Sequence, residues 1–263
     1  MTMITATYPL ALDKSDISFK SSTPRSRAWG FWATLGWMGL ATITFFAAAF
    51  VCSFAYGIVS VISNPGLAFD PTSPVLTHLS TLVAMPAAAV TLIFAARRAG
   101  IPVNDYLGLK PPKLLHIVAG LAALAAFLFF WGGMSHLFPS FNQSGVMTSE
   151  VRAAAAVSTT AIILFLITAV VSAPIAEEII FRGFAFRGWH DTWLGNGGAL
   201  ALSSALFAAI HMQYNVPGMA MIFGLGLVFG LARWLSGSTL LAIILHAMWN
   251  FVIVVPRVIA MAA

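Results

Sequence analysis

Charge is what this sequence has least of. Of 263 residues, 13 are Lys or Arg and 8 are Asp or Glu, 8% of the chain, against about 25% in soluble domains. So few charges cannot coat a water-exposed surface, and with 60% of the residues hydrophobic they exclude both a soluble globule and a disordered chain. Cysteine is almost missing: Cys52 stands alone, which excludes an intramolecular disulfide and any metal site built on several thiolates. There is no His-Glu-x-x-His stretch, the helix motif common to zinc proteases. Alternating ten-residue runs of the kind a membrane barrel needs are absent too, as are low-complexity tracts and polar stretches long enough for a soluble domain. The net charge of +5 comes from basic residues clustered beside apolar runs. That is the distribution of cytoplasmic membrane loops rather than of a nucleic-acid surface, and no nucleic-acid partner is expected.

What is present is apolar length. Seven segments, near 28–62, 75–96, 115–137, 156–189, 198–214, 217–235 and 239–256, approach or exceed the ~20 residues that cross a bilayer as helix. Only a helix satisfies its backbone in lipid without a neighbour, so the fold predicted is all-α, a polytopic transmembrane helical bundle of about seven, at most eight, spans. Residues 1–26 read as a polar cytoplasmic tail, 27–114 as amino-terminal transmembrane helices, and 115–263 as the core that carries the chemistry. The first apolar run is too long for the core of a cleavable signal and is read as a permanent anchor. With seven spans, all Lys and Arg residues but Arg152 and Arg257 fall on one side, which places the amino terminus in the cytoplasm.

Ionisable groups inside hydrocarbon cost about 2.5–3.5 kcal/mol each on insertion scales, so each is a functional candidate by default. They are concentrated in three of the later spans: Glu177, Glu178 and Arg182, then His211, then His246. Glu178 and Arg182 are i,i+4 neighbours in the favoured acid-first order and can pair. Glu177 points about 100° away and is left without a local partner, free to take a proton or hold a polarised water. Phe207 and His211 lie one turn apart on one face, as do His246 and Asn250. Depth counts at about 1.5 Å per residue put Glu177, His211 and His246 in one layer of the bilayer, where they can converge on a wet cavity. A carboxylate, two imidazoles and a carboxamide suffice to hydrolyse an amide: Glu177 and His211 activate water, and His246 with Asn250 stabilises the oxyanion. The same Glu177, His211 and His246 could ligate Zn²⁺ with an open water position. The residues alone leave both routes open.

Taken in order, Glu177-Glu178-x-x-x-Arg182, Phe207-x-x-x-His211 and His246-x-x-x-Asn250 resemble the three-motif signature of the CAAX proteases and bacteriocin-processing enzymes, the CPBP or Abi intramembrane proteases. The resemblance covers roughly residues 118–256. It implies an all-helical membrane endopeptidase acting on a membrane-anchored protein or peptide, with Glu177 the catalytic glutamate, His211 its water-activating partner, His246 and Asn250 the oxyanion pair, and Glu178, Arg182 and Phe207 in support. Family relatives are described both as metalloproteases and as metal-independent enzymes, so Zn²⁺ stays an open expectation. A multi-pass protein of a bacterial inner membrane is implied; the oligomeric state is not.

Two rival functions share these residues. A proton-coupled transporter also uses buried Glu and His, but transporters commonly show matched halves, and here the ionisable groups sit in one half. A non-catalytic immunity or scaffold protein is the other. Two further features carry structural expectations: Pro174, three residues before Glu177, is expected to kink or open its helix, and Gly226-x-x-x-Gly230 is expected to let helices pack closely within the bundle or between copies.

Overall fold

The computed structural model describes residues 28–63, 65, 66 and 69–262; the predicted tail, residues 1–26, lies outside them. Helices run in the order α1 (Phe31–Ser63), α2 (Pro74–Arg98), a short α3 (Val103–Leu107), α4 (Leu114–Leu137), α5 (Ser144–Val157), α6 (Thr159–His190), α7 (Gly195–Ala209), α8 (Val216–Ser236) and α9 (Thr239–Ala262). No strand occurs among the described residues. The all-helical bundle expected from the sequence is what forms.

Six of these helices, α1, α2, α4, α6, α8 and α9, are long and apolar enough to cross a membrane. The remaining predicted span, 198–214, is the 15-residue α7, about 22 Å long at 1.5 Å per residue and short of the ~30 Å hydrocarbon core. The apolar composition continues past Ala209, but the helix does not: Ile210 is its C-cap, and the chain turns through His211 to Asn215. Asn215 then caps α8 by accepting the Gly218 N–H at 2.9 Å, with Pro217 in the first turn, the standard chemistry of a helix start.

Large apolar side chains are exposed on the outside, among them Phe50 at 70% and Phe129 at 85%, the pattern of a bundle whose solvent is lipid. The inside is built on close approach. A Cβ at Gly226 would lie 2.9 Å from the Ser204 Cβ, and Gly230 faces Leu200, so the Gly226-x-x-x-Gly230 face packs α8 onto α7 within one chain. At the end rich in basic residues, Gly108 adopts φ 65° over the Arg233 guanidinium, a position only glycine fills without strain.

Helix α6 is the irregular element. It alternates α-helix over Thr159–Ile167, π-helix over Thr168–Ser172, α-helix over Ala173–Glu178, π-helix over Ile179–Ala185 and α-helix over Phe186–His190. The opening expected around Pro174 is therefore present, with a π-turn immediately before the proline.

Candidate active site

The π-turn before Pro174 has a local cause. Proline brings no N–H, so a carbonyl upstream loses its donor. Ala173 N–H donates to Thr168 C=O, five residues back, and is no longer available to Ala169 C=O. In the wider register the donor for Ala169 would be residue 174, which has none. Asn250 fills the gap: its Nδ2 donates to Ala169 O at 2.7 Å. The carboxamide expected in the oxyanion role is thus tied by one hydrogen bond to the broken turn, and its amide carries a second N–H.

The two acids that follow diverge as their spacing predicts. Glu178 is fully buried and pairs with Arg182, Oε1 to Nη1 at 3.0 Å, both side chains 0% exposed. The same Oε1 accepts from His246 Nδ1 at 2.9 Å. One carboxylate oxygen thus joins α6 to α9 and fixes the imidazole with Nδ1 as donor and Nε2 turned away. Arg182 spends Nη2 on the Gly226 carbonyl at 3.0 Å and lies 4.4 Å over the Phe207 ring, a desolvated cation held by an ion pair, a carbonyl and an aromatic face.

Glu177 is buried, and its Oε2 has no hydrogen-bond partner among the described residues. It sits 3.9 Å from His246 Nε2, too far for a direct hydrogen bond and near enough for both atoms to reach one water. Beyond the end of α7, His211 Nδ1 donates to Phe207 O at 2.8 Å, leaving Nε2 free. Phe207 meets both imidazoles edge-on, at centroid distances of 4.9 Å to His211 and 5.6 Å to His246. Glu177, His211, His246 and Asn250 all line one cavity of about 710 Å³. All seven residues singled out from the sequence are in this assembly.

Two contributors escaped the sequence reading. Phe229 stacks on the His246 ring at 5.0 Å and 19°; as one aromatic among many in an apolar run, it sends no signal. The Glu178–His246 link was invisible because the Arg182 pairing already accounted for Glu178, while i,i+4 logic says nothing about a residue 68 positions away. Among the described residues, no three His, Cys, Asp or Glu side chains are gathered so as to hold a metal ion. As placed, Glu177, His211 and His246 do not form a ready zinc-ligand set.

At the cavity's rim lie Glu150 and Tyr214. Burial pushes the Glu150 carboxyl above its usual range, and burial together with the neighbouring Glu150 charge pushes the Tyr214 hydroxyl up to about 12.

A polytopic helical bundle with a carboxylate, two imidazoles and a carboxamide around an internal cavity belongs to the class of integral membrane proteins that carry polar chemistry at membrane depth. Residues 159–252 match the family described as Rce1-like, type II CAAX prenyl endopeptidase Rce1-like. That stretch runs from the start of α6 into α9 and holds every residue of the site, so the resemblance read from the three motifs is borne out there. An uncharacterized 24.3 kDa protein of Escherichia coli is 40% identical over 91 residues, 32% of this chain and 40% of that protein. The chain therefore covers well under half of that relative's length. No solved structure matches.

Proposed function

We propose that the protein is an intramembrane endopeptidase that hydrolyses a peptide bond of a membrane-associated protein or peptide. The observation that carries this reading is the contrast between the two adjacent acids: Glu178 lies off the cavity, its Oε1 shared by Arg182 and His246, whereas Glu177 lines the cavity beside an imidazole, its Oε2 without a partner among the described residues. Structural glue would tie both acids to partners. Glu177 takes a proton from water as the water oxygen attacks the scissile carbonyl carbon, with His211 Nε2 orienting that water. The negative charge forming on the carbonyl oxygen is met by the second Asn250 N–H and by His246 in its imidazolium form, which keeps Nδ1–H on Glu178 and offers Nε2–H to the oxyanion. Collapse of the tetrahedral intermediate breaks the C–N bond, and the proton held by Glu177 passes to the leaving amine.

The test is cleavage of a membrane-anchored peptide library by the purified, reconstituted protein. Glu177→Gln and His211→Ala are each expected to lower kcat by about 10²–10⁴-fold, the usual contribution of a general base, with helicity and thermal unfolding retained. Undiminished cleavage in both variants would overturn the proposal. Proton-dependent solute uptake lost in Glu177→Gln, without peptide cleavage, would favour a transporter. Bound zinc and chelator sensitivity are measured in parallel: cleavage is expected to survive chelation, and activity lost with zinc and restored with it would replace the metal-free route.

A further inference from the structure

The cavity has a direction. Its lining on α6 runs from Phe165 to Glu177 and stops, on α8 from Met221 to Phe229, and on α9 from His246 to Arg257. Each of these helices contributes only from site depth towards the end facing the α1–α2, α4–α5 and α7–α8 connections. The lining on α2, Pro74 to Met85, and on α4, Leu128 to Ser135, lies at that same end. Between the site and the opposite face the bundle is filled: Phe184, Phe186 and Trp189 of α6 are at most 4% exposed, and Trp189 packs with Ala199 and Leu200 of α7. From Glu177 to His190 is 13 residues, about 20 Å of closed core at 1.5 Å per residue.

The two faces differ in charge. Arg97, Arg98, Lys110, Lys113, Arg187 and Arg233 sit at the closed end, whereas Arg152 and Arg257 are the described basic residues at the open end. Short loops rich in Lys and Arg stay in the cytoplasm, so the closed face is cytoplasmic. Resting on the endopeptidase reading, we infer that the substrate enters from the non-cytoplasmic side: it is the extracytoplasmic part of a membrane-associated peptide. The walls suit that class. Trp131, Met221, Leu225 and Phe229 offer apolar surface at depth, and Thr72, Ser144 and Glu150 offer polar groups at the mouth.

The test uses single cysteines in a Cys52→Ser background, labelled with a membrane-impermeant maleimide on intact spheroplasts. Thr72→Cys and Ser144→Cys at the mouth are expected to label from outside; Arg98→Cys and Lys113→Cys are expected to be protected until the membrane is permeabilised. A second arm co-expresses single-span reporter peptides with the cleavable stretch on either side of the membrane, and only the external stretch should be cut. The reverse labelling pattern, or cutting of the cytoplasmic reporter alone, overturns the inference. If neither reporter is cut while labelling follows the expected pattern, the endopeptidase reading falls and the outward-facing cavity stands, because labelling needs no catalysis.

Discussion

At the scale of single residues, the site depends on Glu178 although Glu178 touches no reacting atom in the proposed chemistry. Its Oε1 holds Arg182 and His246 together, so removing its charge leaves a buried guanidinium with only a carbonyl and aromatic faces. Breaking a buried pair from one side costs about 3–5 kcal/mol. Glu178→Gln is therefore expected to lower the unfolding temperature, whereas Glu177→Gln, at a carboxylate that takes part in no hydrogen bond among the described residues, should barely change it. Thermal unfolding of the two variants side by side in one detergent checks this; equal losses would contradict the division of roles. That division was legible in the sequence on the Glu178–Arg182 side, because i,i+4 geometry is local. It was not legible on the His246 side, because which acid an imidazole from a distant helix meets depends on how α9 sits against α6.

The informative unit among the elements is α6, whose second half would face elsewhere if it were a regular helix. A π-turn accommodates one extra residue and so rotates everything after it by about 100°. Pro174 was the visible sign of an opening, but the width of the turn and its partner were not visible, because both depend on where the Asn250 carboxamide arrives. This gives a coupling to measure. Asn250→Ala leaves the Ala169 carbonyl without a donor, a loss of about 1–3 kcal/mol for a buried polar group. Pro174→Ala restores an N–H within the turn. In a double-mutant cycle, Asn250→Ala is expected to destabilise the Pro174→Ala background less than the parent; additive losses would show that the two residues are independent.

For the whole molecule, the composition announced a bundle turned inside out for lipid, and the exposed Phe50 and Phe129 agree. The helix length within each span was less legible, because hydropathy measures how apolar a stretch is and not where its helix ends. The stretch 198–214 is apolar enough to be read as a span, yet α7 ends at Ala209, and His211 occupies the descent that follows. That shortfall ties the site to the material around it. A helix of about 22 Å meets its surroundings comfortably only where the hydrocarbon layer is thin, and mismatch is met by tilt or by local distortion of the bilayer. The imidazole on the adjoining turn has to follow whichever occurs. Reconstituted into phosphatidylcholines of increasing acyl chain length, the protein is expected to turn over fastest in short-chain lipid and to slow as the chains lengthen, so that the thickness of the host membrane acts as a setting on its rate.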